Sequence, residues 1–224
     1  LIQNIFTNIK SLNLTSKGHY FFSIGIFFLA TAPFISALFL LPSLLISTFQ
    51  RKGEYLNDKW NYPFLAASIL MITSCLVQTL GKPFISNEYN HNLSFIGLFN
   101  WLPYFWCFWG FQPYLESKED RKKILFLTLV GSTPLLLAGL GQYFFSWFGP
   151  FEFLNGLVIW FQRPINPSYE GLTSVFNNQN YAGTWLSMIF YFSLAFTFTL
   201  EKKRTKIVSL IFRSEEHTSE LQSP

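Results

Sequence analysis

The sequence predicts an all-α, polytopic transmembrane protein, and three features of its composition indicate this. Charged residues make up only 12% of the 224 residues, about half of the roughly 25% usual in soluble domains. Phe, Trp and Tyr together make up 20%. The polar residues are bunched between long apolar runs instead of alternating with them. We therefore expect several membrane-spanning helices.

Five charge-free stretches are long enough to cross a bilayer, because about 20 helical residues cover its hydrocarbon core. They run over 21–49, 62–80, 95–115, 124–151 and 171–200, and a further apolar run starts at 207. Within the fourth and fifth stretches we expect spans at about 124–148 and 182–200. The first stretch contains Pro33 and Pro42, and proline removes a backbone donor and kinks a helix. It forms either a hairpin of two short helices or one long kinked span.

Lys and Arg are concentrated in alternate loops, which predicts the orientation because cytoplasmic loops carry the excess of both. The basic segments are 51–59, 116–123 and 201–206, whereas 81–94 and 149–182 carry only Lys82 and Arg163. We expect the basic segments to face the cytoplasm and the other two to face outward. Lys10 and Lys17 favour a cytoplasmic N-terminus, so the 21–49 stretch would enter and leave on the same side. This favours the hairpin.

The two ends of the chain indicate a fragment. Residues 213–224, RSEEHTSELQSP, resemble the translation of a sequencing-library adapter, so we expect a non-native tail and exclude it from the fold. Without the tail, 15 basic and 9 acidic residues remain over 212 positions. The first residue is Leu, so we expect either that the native start is missing as well or that the initiation codon is non-standard. We see no nucleic-acid signature, and Cys75 and Cys107 have no metal-ligand spacing.

The longest outward connection, 149–182, is rich in amide side chains and is the best place for a site, since function concentrates in loops on a rigid scaffold. Asn178 and Asn180 stand where this loop turns into the last span. Asn caps helices well, which is one explanation of this cluster. The other is that free N–H groups at the helix N-terminus, with Arg163 nearby, hold an anionic head group such as a diphosphate.

The segment VFNNQNYAG (175–183) resembles a motif of the O-antigen ligase and O-antigen polymerase family of membrane glycosyltransferases. Members carry a Phe-x-Asn-Pro-Asn-x-x-Ala-like segment that leads from an outward loop into a span. Phe176, Asn178, Asn180 and Ala182 follow that pattern, with Gln179 in place of the proline and the alanine one position early. The span pattern and the aromatic, Leu-rich composition of residues 20–212 are also similar to this family.

The resemblance implies a role in lipopolysaccharide and cell-envelope biosynthesis at the bacterial inner membrane. A glycan would pass from an undecaprenyl-diphosphate donor to a lipid or glycan acceptor on the outward face, with no cofactor and no metal. Arg163, Asn178 and Asn180 would bind the donor, and membrane lipids would surround the spans. The chain would be the N-terminal portion of a larger protein of this kind.

The resemblance also implies a catalytic histidine, acting as general base, in a later outward loop beyond residue 212. Of the three histidines here, His217 is in the tail, His19 precedes the first span, and His91 lies in the outward 81–94 loop near Glu88. Ligase and polymerase activity both remain open. The alternative is a non-enzymatic polytopic membrane protein such as a lipid-linked glycan flippase or carrier, or a structural subunit.

Overall fold

A computed structural model describes residues 16–51, 53–80, 91–165 and 171–199, and most of them are helical. The chain is helical over residues 16–28 (α1), and six further α-helices follow: α2 (Pro33–Gln50), α3 (Tyr62–Leu80), α4 (His91–Gly110), α5 (Lys118–Gly131), α6 (Thr133–Phe145) and α7 (Gln179–Thr199). The prediction of an all-α protein is confirmed, with one small sheet beside the helices. The apolar run from 207, the tail 213–224, Lys82 and Glu88 lie outside the described residues.

The 21–49 stretch contains two helices that are separated by a turn at residues 29–31. Proline removes an N–H and disfavours helix in the residue before it, so Pro33 can start α2 but cannot continue α1. The Ser36 hydroxyl donates to the carbonyl of Gly25 at 2.7 Å, and the rings of Phe21 and Phe39 are 6.1 Å apart. These contacts show that α1 and the first part of α2 pack antiparallel.

Four segments of the described chain are long and apolar enough to cross a membrane: Pro33–Gln50, Lys59–Thr79, Lys118–Phe145 and Gln179–Phe198. The third contains both α5 and α6, which are separated only by Ser132. The expected span 95–115 corresponds to α4, which is 20 residues long but is not among the four. Its Trp and Tyr rings carry polar N–H and O–H groups, which reduce its preference for hydrocarbon.

The described residues divide into two compact units, and the boundary falls inside α2, after Pro42. The first unit contains Ser43–Pro113, with α3 packed on α4. Its α2–α3 connection is held by polar contacts. Arg51 pairs with Glu54 at 3.2 Å, and its guanidinium carbon lies 5.3 Å from the Trp109 ring centre.

The second unit contains His19–Pro42 and the described chain from Tyr114 onward. Its core joins α6, α7 and the loop before α7, with Ala30 of the α1–α2 turn. The buried members are Ala30, Leu135, Leu136, Ala138, Val175 and Leu186. Helix α5 packs against α7, where the rings of Phe126 and Phe196 are 5.9 Å apart.

A two-stranded antiparallel hairpin, β1 (Phe151–Phe153) and β2 (Val158–Trp160), follows α6. This hairpin was not expected from the sequence. Phe151 pairs with Trp160, and Phe153 with Val158. The turn contains Asn155 and Gly156, both with positive φ. A type I′ turn requires positive φ at both central residues, which is why Asn-Gly is the preferred pair there.

Candidate functional site

The amide-rich segment forms the start of α7, and Asn178 is the residue that caps it. The Asn178 side-chain oxygen accepts the backbone N–H of Asn180 at 2.7 Å. The Asn178 carbonyl accepts the N–H of Ala182 at 3.3 Å, the first turn of the helix. This is the arrangement of a helix N-cap. The capping role expected for the cluster is therefore filled by Asn178 in particular.

Asn180 lies one position into α7 and is exposed. Its backbone carbonyl accepts the Thr184 hydroxyl at 2.8 Å. Within the part of the chain that the structure describes, no acceptor is found for the N–H groups of Gln179 and Tyr181, which belong to the first helical turn. Such orphan donors, with the positive end of the helix dipole, favour an anion.

Arg163 has an exposed side chain but a firmly held backbone. Its N–H donates to the Thr173 hydroxyl at 3.1 Å, and its carbonyl accepts the Gln142 side-chain amide at 2.6 Å. Because the backbone of Arg163 is already held in place, only its side chain has to become ordered when a ligand binds. A guanidinium placed in this way is suited to a phosphate, which it can bind through two parallel hydrogen bonds.

Two backbone segments join Arg163 to the start of α7. The N–H groups of Phe161 and Gln162 donate to the carbonyls of Val175 and Ser174, both at 3.2 Å, so that 161–163 runs antiparallel to 173–175. At the other end of the second segment, the Gly171 N–H donates to the Gln179 side chain. Arg163, Asn178 and Asn180 thus belong to one hydrogen-bonded assembly within the second unit, although residues 166–170 of the loop lie outside the described chain.

Buried hydrogen bonds to carbonyl groups of α6 support this assembly. The Gln162 amide donates to the Ala138 carbonyl at 2.8 Å, and the Ser174 hydroxyl donates to the Leu135 carbonyl at 2.6 Å. Gln162 and Ser174 are 2% and 0% exposed, and their φ angles are +31° and +49°. Residues that are not glycine pay an energetic cost for such angles, and they keep them only where the surroundings enforce them.

The electrostatics of the assembly are simple. Among the described residues from Phe153 to Thr199, Arg163 carries the only charged side chain. Glu152, before it in sequence, is exposed on β1, and Glu170, after it in the same loop, lies outside the described residues. The described part of the site therefore combines one cation with a helix N-terminus, an arrangement that favours an anionic ligand.

Of the other residues that could act as bases, only the side chain of His19 is described, and its contacts are with Asp120 and Tyr114. His19 lies 3.9 Å from the Asp120 carboxylate and packs edge-on against the ring of Tyr114, 4.9 Å away. The side chain of His91 and the whole of Glu88 lie outside the described residues. In the described ranges, no group of three His, Cys, Asp or Glu residues is placed to hold a metal ion.

Sequence reasoning missed the residues that fix the loop, chiefly Gln142 and Gln162. Gln142 is a lone amide within the apolar 124–148 run, and this is a usable signal, because a buried amide needs partners. The Asn155–Gly156 pair, flanked by apolar residues, is the sequence signal from which the hairpin could have been predicted. Comparison with protein-family models, with curated proteins and with solved structures found no match to this chain.

Proposed function

We propose that this chain is a multi-pass protein of the bacterial inner membrane that transfers or polymerises glycan from an undecaprenyl-diphosphate-linked donor on the outward face. Four segments long and apolar enough to cross a bilayer support the location. The alternation of loops rich and poor in Lys and Arg supports the orientation, with residues 149–182 outward.

One observation carries the proposed activity: exposed Arg163 and the N-terminus of α7 are held in the same hydrogen-bonded assembly. An arginine cannot lose its proton at physiological pH, and a helix N-terminus offers unpaired N–H donors. Together they supply fixed positive charge for a diphosphate. The strained backbone at Gln162 and Ser174 supports the same conclusion, because enforced strain is concentrated at functional sites.

In the proposed reaction, the acceptor hydroxyl attacks the anomeric carbon of the donor sugar. The bond between that carbon and the diphosphate oxygen breaks, and the diphosphate leaves with the electron pair. The hydroxyl proton passes to a general base, which the family resemblance places beyond residue 212. The role of Arg163 is to stabilise the negative charge that develops on the leaving group, which is the kind of interaction that lowers a transition state.

The test is glycan transfer by the full-length protein, assayed in membranes of a strain that lacks the native gene. Arg163→Ala should lower the transfer rate on the order of 100-fold, as the loss of one transition-state donor does, and Arg163→Lys should recover part of the rate. Lys122→Ala is the control, because Lys122 is a surface cation on α5 that pairs with Glu119, 3.5 Å away.

Wild-type surface glycan in the Arg163→Ala strain, with normal protein abundance, would overturn the role of Arg163. If purified protein binds the lipid-linked donor in an Arg163-dependent manner but transfers nothing even when its whole gene is expressed, the carrier alternative replaces the enzyme.

A further inference from the structure

The β1–β2 hairpin begins only a few residues after the candidate span Lys118–Phe145 ends. The segment between α6 and β1 stays in contact with the end of α6. The Trp147 N–H donates to the Gly141 carbonyl at 3.2 Å, and the Trp147 ring lies against Gly141. The segment that leads into β1 is therefore folded back onto the last turns of α6.

The tip of this hairpin is apolar and exposed. Leu154 and Leu157, the first and last residues of the turn, are 63% and 52% exposed. Between Trp147 and Gln162, Glu152 is the only charged residue. Turns that face water are rich in polar residues, and a projecting pair of leucines there leaves apolar surface in contact with solvent.

The base of the hairpin, in contrast, is fixed to the second unit. The indole N–H of Trp160, at the end of β2 far from the turn, donates to the Thr31 carbonyl at 2.9 Å. Val158, which follows the turn directly, is itself buried. The rings of Phe153 and Trp160 meet edge to face, 5.1 Å apart. The base of the hairpin is thus fixed to the second unit, whereas the two leucines of the tip lie outside the core.

We propose that this hairpin tip inserts into the lipid of the outward leaflet, at the boundary between head groups and acyl chains. This rests on the proposed membrane location of the span that precedes it. Two observations favour lipid over water or a protein surface: the hairpin follows closely on the end of an apolar span, and exposed aromatic side chains surround that end, among them the Tyr and Trp that are enriched at membrane interfaces. These exposed aromatic residues are Tyr143, Phe144, Phe145, Trp147 and Phe148.

Insertion of the tip would set the depth of the candidate site. Arg163 follows β2 by three residues, and Gln162 accepts the Gly149 N–H at 2.9 Å through its carbonyl. A hairpin anchored in the interface therefore holds Arg163 close to the level of the head groups. The diphosphate of a polyprenyl-linked donor lies at that level, since its lipid tail occupies the hydrocarbon core.

The test measures the depth of single spin labels on the full chain in vesicles of phosphatidylethanolamine and phosphatidylglycerol. Cysteines are introduced one at a time in a Cys75→Ser, Cys107→Ser background. Leu154→Cys and Leu157→Cys report on the tip. Leu137→Cys, on an exposed position of α6, is the membrane control, and Asn177→Cys, exposed before α7, is the aqueous control.

Labels at the tip should collide more often with oxygen, which concentrates in lipid, than with a water-soluble nickel complex. The label at position 137 should show the same preference. The label at 177 should show the opposite preference. A preference for the nickel complex at either tip position, with 137 in lipid, overturns the insertion of the hairpin and leaves the membrane location intact. A preference for the nickel complex at 137 overturns the membrane location of α6 itself.

Discussion

The backbone N–H of Ser174 donates to the side-chain oxygen of Gln142, 2.7 Å away and buried inside the second unit. The same carboxamide donates through its nitrogen to the Arg163 carbonyl and to the Thr173 hydroxyl, at 2.6 and 3.0 Å. One side chain of α6 thus holds both segments that lead from Arg163 to α7. The geometry of the candidate site depends on a residue that is 1% exposed.

Replacing Gln142 with methionine should destabilise the protein and loosen this loop. Methionine fills a similar volume but leaves the Ser174 N–H buried without an acceptor, which costs about 1–3 kcal/mol. We expect a lower thermal unfolding midpoint in detergent and faster proteolysis within 161–178. Thr184→Val is the control, because the Thr184 hydroxyl is exposed. A Gln142→Met protein as stable as the control would show that this carboxamide does not hold the loop.

Asn178 allows its capping role to be separated from ligand binding. Asn178→Ala should lower the free energy of unfolding by about 0.5–2 kcal/mol, because the cap is lost. Asn178→Asp keeps a capping oxygen and places a negative charge at the helix N-terminus, where it stabilises the helix. In the proposed site, however, that charge repels the diphosphate, so Asn178→Asp should retain stability and lose transfer activity.

The matched control for the cap is Asn177→Ala, since Asn177 is exposed and precedes the capping residue. It should leave the free energy of unfolding unchanged. Full transfer activity of Asn178→Asp would show that no diphosphate approaches this end of α7.

Helices α1 and α5 approach each other so closely at Gly131 that a larger residue does not fit there. A Cβ atom added there would overlap the backbone carbonyl of Phe27, which cannot rotate away as a side chain could. Gly131→Ala should therefore lower the unfolding midpoint. Gly183→Ala in α7 is the matched control, because nothing lies within 4 Å of its added Cβ, and alanine favours helix by about 1 kcal/mol. Equal effects of the two changes would show that α1 and α5 do not meet at Gly131.

Local patterns in the sequence were enough to locate α3 and the break between α1 and α2. The 62–80 stretch coincides with α3, because an apolar run bounded by charged and helix-breaking residues is a local signal. The signal that separates α1 from α2 is likewise local, because it comes from Pro33, two residues after the turn between them. Capping by the Asn cluster was one of the two explanations open from the sequence, for the same reason: a cap involves only the next few residues of its own helix.

The arrangement of the site could not be predicted in this way. Gln142 and Ser174 are 32 positions apart, and no periodicity connects a residue of one helix to the backbone of a loop. The backbone pairing that places Arg163 opposite Thr173 depends on positive φ at Gln162 and Ser174, residue types that do not usually adopt it. Tertiary contacts override local preference at these positions, so the structure was needed to find them.

Ser132 and Trp185 provide a test of how α7 is held on α6. The indole N–H of Trp185 donates to the Ser132 hydroxyl at 3.0 Å, and Ser132 is fully buried. Ser132→Ala should cost about 1–3 kcal/mol of stability, because the indole N–H loses its acceptor in the interior. Trp185→Phe removes that donor, so in the Ser132→Ala background it should cost less than it does alone. A double-mutant cycle on the free energy of unfolding measures this coupling, which contacting residues show at about 0.5–3 kcal/mol. Strictly additive effects would mean that the two side chains contribute independently and that this hydrogen bond does not fix α7.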